Sequence, residues 1–302
     1  MHRLPLWLTL LFTSVFTVLS VAAPKKAADF TGRGLSAPLW SLDDRFIAYT
    51  TADQDELYVV ELNEIKAKQS LYRVANLEGV GRRFVFSPGE ERIVYRSIAA
   101  AIKGRPDRLV SCSFYQQDNT MLTGNSSPIL GPYLIENKVM YRENLTAPLK
   151  TLDNQPWDKG VYLDNGELTV TNTDGKTVFK SGSGEEVRGF EISPDGETVA
   201  AVLQTGTKKT VRLIQISSGN VIDLGEGRWP SWSADGNRVV ILRDKPDIEY
   251  AELIVHDLTV GQSRSVMGIN QFWPDEPALN RDGTRVAFVH NGEIYITEVT
   301  GF

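Results

Sequence analysis

The chain is poor in the residues that most often carry nucleophilic or metal-dependent catalysis. It has one cysteine, Cys112, and three histidines among 302 residues. An intramolecular disulfide framework is therefore excluded, and a histidine-rich metal site is not expected. Cys112 alternates with serines in an apolar segment, so we expect a small buried side chain rather than a nucleophile. The Gly-x-Ser-x-Gly pentapeptide of serine hydrolases is also missing.

Positive charge is scarce as well. Acidic residues outnumber basic ones by 38 to 32, which gives a formal net charge of −6, and no long basic run occurs. Proteins that bind nucleic acid depend on clustered lysine and arginine to neutralise phosphates. We therefore do not expect nucleic acid as a partner.

The first 22 residues have the layout of a secretory signal peptide. A basic start precedes an apolar run from Leu4 to Val21, and small residues lead up to Ala22. We predict cleavage after Ala22, which leaves one domain at 23–302, no membrane span and a periplasmic or secreted location. The alternative is an uncleaved membrane anchor, because the apolar run is near the lower length limit for a span.

A turn phrase related to Ser-Pro-Asp-Gly recurs along the rest of the chain. Its anchor position falls at Ser41, Ser87, Ser193, Ser233 and Asn280. The intervals are 46, 106, 40 and 47 residues, and a decayed copy around Tyr133 divides the longest one. Each of the six units has an apolar strand, the turn, an alternating strand and further β-rich text. Four short strands in about 45 residues are typical of a propeller blade.

We therefore predict an all-β fold, a six-bladed β-propeller of four-stranded antiparallel blades. The last unit stops after its third strand at Phe302, whereas the segment from Ala28 to Leu35 lies just before the first strand of the first unit. We expect the N-terminal segment to supply the missing strand of the last blade. We also expect the protein to be a monomer.

The Ser-Pro-Asp-Gly phrase, followed by Arg-x-Ile/Val-x-Tyr/Phe, resembles the repeats of the TolB-like propeller family. The resemblance covers essentially the whole predicted mature chain, and its motif is structural. It implies a periplasmic or extracellular propeller that often binds another protein at one end of the ring, and it transfers no catalytic residue. TolB has an α/β domain before its propeller, while only about 14 residues separate Ala23 from the first repeat here. We therefore expect a family relative rather than TolB itself.

One position differs between the repeats in a way that points to function. Five residues before the anchor, three units carry Arg82, Arg188 and Arg228, and two others carry Asp275 and Ser36. This position enters the innermost strand, so its side chains are expected to surround one mouth of the central channel. Three arginines there would suit an anionic group or an acidic partner segment. The alternative is that they form ordinary surface ion pairs with Asp275, Glu185 or Glu186.

The same end of the ring is expected to present further candidates from the loops that enter the first strands. These candidates are Arg83, Trp229, Phe272, Trp273, Asp275 and Glu276. Exposed aromatic residues beside arginines are typical of protein-binding surfaces. The alternative for the tryptophans is packing between blades.

The sequence thus favours an exported, non-catalytic propeller that binds a protein, within an envelope complex of a bacterium. No catalytic, cofactor-binding or metal-binding residue is assigned. The alternative is a propeller enzyme, a lactonase, lyase or hydrolase, with a calcium-assisted site at the channel mouth. Asp and Asn residues are abundant, but most of them are explained as turn formers.

Overall fold

A computed structural model describes residues 23–28, 33–62, 70–76, 79–80, 83–89, 91–97, 107–123, 129–245, 250–266 and 272–301. The predicted signal peptide lies outside these residues. Every regular element assigned in the described part is a β-strand, and the strands form seven antiparallel sheets. The all-β propeller predicted from the repeat is confirmed. No helix in the described part combines the length and the apolar character that a membrane crossing requires.

Apart from β1 at Lys25–Ala28, the strands of each sheet follow one another along the chain. The first two such sheets are β2–β5 and β6–β9, with bounds Leu35–Trp40, Phe46–Thr51, Glu56–Glu61, Leu71–Asn76, Phe84–Phe86, Arg92–Ser97, Arg108–Ser113 and Asn119–Met121. Two three-stranded sheets follow, β10–β12 and β13–β15, with bounds Leu130–Ile135, Lys138–Arg142, Lys150–Thr151, Gly160–Asp164, Glu167–Thr171 and Thr177–Lys180.

The last three sheets are four-stranded. Strands β16–β19 span Glu186–Ile192, Thr198–Thr205, Lys208–Gln215 and Val221–Glu226, and β20–β23 span Arg228–Trp232, Arg238–Lys245, Tyr250–Asp257 and Gln262–Ser265. The final sheet contains β24–β26 at Asp275–Leu279, Arg285–His290 and Glu293–Glu298, together with β1. Buried Val, Ile, Leu and aromatic side chains pack between neighbouring sheets.

The N-terminal segment completes the last sheet as predicted, but the closing strand is Lys25–Ala28 and not the segment from Ala28 to Leu35. Strand β1 pairs antiparallel with β26, and Lys25 and Lys26 lie opposite Ile296 and Tyr295. Because β1 comes from the start of the chain and β26 from its end, this pairing joins the two ends of the propeller within one sheet.

The number of sheets differs from the prediction, since seven are present in the described part where six blades were expected. The long unit after Tyr133 divides in two. Its third strand, β12, has only two residues, and a turn with Asn154 at a φ of 64° ends it. A new hairpin then forms around Asn165 and Gly166, whose φ angles of 51° and 85° suit a tight two-residue turn.

The anchor residue of the repeat is a buried cap for the turn that follows it. Ser193 and Ser233 are 1% and 0% exposed, and the Oγ of each accepts the backbone N–H of the residue five positions later at 2.9 Å. The Ser233 hydroxyl also donates to Asp235 at 2.6 Å. Asn280 repeats the arrangement with its side-chain oxygen on the N–H of Arg285. The repeated phrase is therefore explained by the turn that it builds, as its sequence suggested.

Candidate functional site

The first strands of six sheets enclose a cavity of about 710 Å³. The residues that line it come from or adjoin β2, β6, β10, β16, β20 and β24, and no described residue of β13–β15 is among them. Six of the seven sheets thus contribute their first strand to the described lining of the cavity. This cavity is the central channel at whose mouth the sequence placed its candidate residues.

The entrance to the cavity is shaped by a β-bulge that recurs in the first strands. The pairing register shifts between Ser36 and Leu39 in β2, between Arg228 and Ser231 in β20, and between Asp275 and Ala278 in β24. A bulge inserts an unpaired residue and turns side chains away from the regular pleat. We call the six residues at these three bulges the rim, and they are Ser36, Ala37, Arg228, Trp229, Asp275 and Glu276.

Three rim residues adopt a left-handed backbone conformation. The φ angles are 50° at Ala37, 52° at Trp229 and 45° at Glu276. Residues other than glycine rarely have positive φ, and a bulky side chain there is exceptional. Such strain persists when the surroundings impose it, and it concentrates at functional sites. The fold therefore holds Trp229 in a costly position, where its side chain lines the cavity and is 49% exposed.

Ion pairs and hydrogen bonds connect the rim across three sheets. Arg228 donates to Asp275 at 2.8 Å and to Asp244 at 3.2 Å. Glu276 accepts hydrogen bonds from the Ser36 hydroxyl and the Ala37 N–H, both at 2.6 Å. Burial lowers the pKa of Arg228, but its bond to Asp275 and the two carboxylate charges outweigh this and raise the pKa. The rim is thus rigid around Trp229, and Arg228 already has carboxylate partners.

The other two arginines of the predicted ring have different outcomes. Arg188 is exposed, pairs with Glu186 at 2.7 Å and donates to Gln204. Arg82 lies outside the described residues. Arg188 and Arg228 therefore form ion pairs of the kind that the sequence analysis gave as the alternative to an anion-binding ring.

The predicted aromatic residues divide into one that is packed and two that are exposed. Phe272 packs edge-on against Phe288 and Tyr295, with ring centroids 5.8 and 5.0 Å away. Trp273 is 63% exposed, and its backbone N–H donates to His290. Together with Trp229, it gives two large exposed indoles near the starts of β20 and β24, at the same end of the ring.

Arg83 directly precedes β6, and its side chain lines the cavity. Its Nη2 donates to Glu191 at 2.6 Å, and its Nε donates to the carbonyl of Pro132 at 3.1 Å. The guanidinium also sits 4.1 Å from the ring centroid of Tyr133. Burial lowers the pKa of Arg83, but the Glu191 charge and hydrogen bond outweigh it, so the pKa is raised.

Sequence reasoning missed Arg142, which lies behind Tyr133. Its side chain is fully buried, and its guanidinium carbon is 5.2 Å from the Tyr133 ring centroid and 5.6 Å from that of Phe190. Burial lowers its pKa; Tyr133 acts in the opposite direction, and the charge of Arg83 lowers it further. Arginine nevertheless keeps its charge in proteins. The only signal in the sequence was a charged residue at the end of an apolar strand, which is usually exposed.

Within the described residues, neither the single thiol nor a cluster of metal ligands marks a catalytic centre. Cys112 is buried, and burial raises the pKa of its thiol. In the described ranges no group of three or more His, Cys, Asp or Glu side chains is arranged to hold a metal ion.

His256 is a buried structural residue with a testable effect on stability. Its Nδ1 lies 2.9 Å from the Ser263 hydroxyl, and its Nε2 has no partner in the part of the chain that the structure describes. Burial lowers its pKa, with Asp257 opposing. The unfolded chain therefore binds a proton more readily than the folded one, and folding stability is lost as pH falls below the ordinary histidine value of about 6.5.

We expect His256→Gln to reduce the fall in melting temperature between pH 7.5 and pH 5.5. His290→Gln is the matched control, because His256 and His290 are the two histidines in residues 23–302. Melting curves of the wild type and both variants at each pH provide the measurement. An unchanged pH dependence in His256→Gln would show that the buried imidazole does not carry the effect.

Comparison with known proteins agrees with a propeller. Residues 166–301, a little under half of the chain, match the family described as the lipoprotein LpqB beta-propeller domain. No curated protein matches the chain in sequence. A solved structure of KlHsv2, with loop 6CD replaced by a Gly-Ser linker, superposes with a TM-score of 0.53 at 12% identity, over 89% of this chain and 98% of that one. This likeness shows the fold alone.

Two further similar structures have lower scores. TolB from Acinetobacter baumannii has a TM-score of 0.47 at 14% identity, and the match covers 89% of this chain but only 55% of that one. An oligogalacturonate lyase from Vibrio parahaemolyticus has a TM-score of 0.45 at 14% identity, with 90% of this chain and 79% of that one covered.

Proposed function

We propose that this chain is an exported, non-catalytic β-propeller that binds a protein partner at the rim of its central cavity. The observation that carries the proposal is Trp229, a half-exposed tryptophan with a φ of 52° at the cavity entrance. At the equivalent bulge positions Ala37 is small and Glu276 is hydrogen-bonded to the neighbouring sheet, whereas Trp229 adopts the same conformation with a large, half-exposed side chain.

The surroundings of Trp229 fit protein recognition. Tryptophan and arginine are the residue types most enriched among those that dominate binding energy at interfaces. Here the exposed Trp229 and Trp273 accompany Arg188 and the fixed Arg228–Asp275 pair. Because the rim is held by hydrogen bonds between sheets, a partner would meet a preorganised surface, which reduces the entropic cost of binding.

The proposed location is supported by the leader predicted at residues 1–22 and by the likeness of residues 166–301 to a propeller domain named for a lipoprotein. Within the proposal, the partner is a protein of the cell envelope. Catalysis has no part in it.

The proposal is tested by Trp229→Asn, a change that removes the indole while keeping a residue that tolerates the left-handed conformation. We expect the melting temperature to be maintained or raised, while the amount of partner captured from a cell-envelope extract falls about tenfold or more, as for a binding hot spot. Partner capture is measured as the amount of one discrete protein that binds the propeller in a stoichiometric ratio.

Val260→Asn is the matched control. Val260 is 58% exposed but lies in the turn between β22 and β23, away from the rim. Equal capture by both variants and the wild type would remove the rim from the account. A fall in melting temperature for Trp229→Asn would instead indicate that the tryptophan serves the fold.

A further inference from the structure

Arg142 has a free edge that its surroundings do not explain. Its Nη1 donates to the carbonyl of Val161 at 2.8 Å, but within the described residues its Nε and Nη2 have no hydrogen-bond partner. These two nitrogens form one side of the guanidinium plane and donate in parallel, which matches the two oxygens of a carboxylate. Buried charges in proteins are normally paired, so this edge is a departure that calls for a ligand.

In the preceding sheet, an arginine at the matching position uses the same side of its guanidinium group to bind a carboxylate. Arg96 lies near the end of β7 and Arg142 at the end of β11, and both follow a tyrosine in matching repeat text. In Arg96, the Nε and Nη2 edge is occupied by the carboxylate of Asp107, with Nε at 3.0 Å. The chain therefore uses an arginine at this position to hold a carboxylate.

The corresponding internal carboxylate is missing next to Arg142. Asp107 lies two residues before Leu109, which is the register partner of Arg96. Extending the register of β11 and β12 by one pair puts Leu149 opposite Arg142, and Ala147 lies two residues before Leu149. Alanine has no acceptor to offer, so the second sheet has kept the arginine and lacks its partner.

The charge balance around Tyr133 also favours an anion. Arg83 and Arg142 flank the Tyr133 ring at 4.1 and 5.2 Å, and the carboxylate that contacts this group is Glu191, which is bonded to Arg83. Two guanidinium charges thus face one carboxylate. The cation–π contacts compensate only part of the remaining positive charge.

We propose that Arg142, together with Arg83, forms a binding site for a ligand carboxylate that enters from the central cavity. The ligand carboxylate takes the place on Arg142 that Asp107 takes on Arg96. Tyr133 lines the cavity and covers Arg142, so its ring rotates into the open cavity volume when the ligand enters. One remaining positive charge matches a single carboxylate rather than a phosphate dianion. The site is independent of whether a protein partner docks at the rim.

Sodium acetate is the probe, with acetamide as the uncharged isostere and sodium chloride to keep the ionic strength equal. We expect acetate, at concentrations well above its dissociation constant, to raise the melting temperature of the full chain by about 3 °C relative to both controls, because a ligand that binds only the folded state stabilises it. Arg142→Met should abolish this difference. Glu191→Gln, which removes a nearby negative charge, should tighten acetate binding about tenfold.

The source of the carboxylate is distinguished by a second arm with N-acetylglutamate amide against N-acetylglutamine amide. Tighter binding of the glutamate compound than of acetate assigns the site to an acidic protein segment, and tighter binding of acetate assigns it to a small free acid. The proposal is overturned if acetate stabilises the wild type no more than chloride does, or if Arg142→Met keeps the full acetate effect. Glu191 lines the cavity, so Glu191→Gln still tests the proposal if Arg142→Met fails to fold. An acetate affinity that stays unchanged in Glu191→Gln would also overturn the proposal.

Discussion

A chain that starts at Asp29 should melt about 10 °C lower than one that starts at Ala23. The shorter chain lacks β1, which completes the last sheet by pairing with β26. Its loss exposes the edge of β26 and the cluster in which Ala27, 5% exposed, packs with Leu35 and Ile294. It also removes the Lys26–Glu293 ion pair at 2.6 Å. Losses of about 4 kcal/mol or more correspond to such a shift for a domain of this size.

A point substitution separates the packing of β1 from the deletion as such. Ala27→Asp places an unpaired carboxylate in the buried cluster, and we expect most of the effect of the deletion, because an isolated charge in an apolar site is strongly unfavourable. Lys25→Ala changes an exposed residue of the same strand and should leave the melting temperature within about 1 °C. If the shorter chain melts within about 2 °C of the longer one, β1 does not close the ring.

Asp257→Ala should destabilise the fold by about 3 kcal/mol, the scale for breaking a buried ion pair by removing one partner. The Asp257 side chain is 5% exposed, accepts from Arg238 Nε at 2.8 Å and caps the N–H groups of Thr259 and Val260. Arg238 in turn donates to the carbonyls of Asp282 and Gly283, which lie in the turn between β24 and β25 of the next sheet. The substitution therefore loosens a contact between two blades, and the melting temperature should fall by about 6 °C.

The pH dependence of this contribution has a defined direction. Burial raises the pKa of Asp257, but the bonds from Thr259 and Arg238 outweigh it and lower the pKa to about 2. A folded-state pKa below the unfolded value stabilises the fold above the unfolded pKa, and this contribution is lost as pH falls from about 4 toward 2. Asp223→Asn is the control, because Asp223 is 55% exposed and its nearest arginine atom is 3.8 Å away. We expect the control to change stability by less than about 0.5 kcal/mol, and equal losses in both variants would contradict the account.

The fold was accessible from the sequence because its information is repeated. The turn residues around Ser193 and Ser233 recur at nearly constant spacing, and both copies use a buried hydroxyl with a carboxylate two residues later, while Asn280 supplies an amide in the same place. The closure by β1 followed from a missing strand at one end and an unassigned one at the other. The division of the long unit was not predicted, because the turn at Asn165 and Gly166 reads equally well as a hairpin within a four-stranded blade.

The candidate site was less accessible for physical reasons. The position of Trp229 before its anchor was visible, but its left-handed backbone was not, since no glycine or asparagine marks the bulge there. Arg228 and Asp275 are 47 residues apart in the chain, so their ion pair forms only because the fold brings two sheets together. Arg142 was missed because the sequence does not show that its side chain is buried, and the lack of a carboxylate partner on the neighbouring strand is visible only in the structure. Comparison of Ala147 with Asp107 needs the observed register.

Binding of a partner at the rim around Trp229 can be tested by site-specific photo-crosslinking that leaves the tryptophan in place. A photoreactive benzoylphenylalanine replaces Arg188, an exposed residue on the sheet next to that of Trp229, or Val260 as the control, and the full chain is irradiated in its native host. We expect one discrete adduct from position 188, identified by mass spectrometry, and none from position 260. No adduct from position 188, or the same adducts from both positions, would show that no partner binds at the rim.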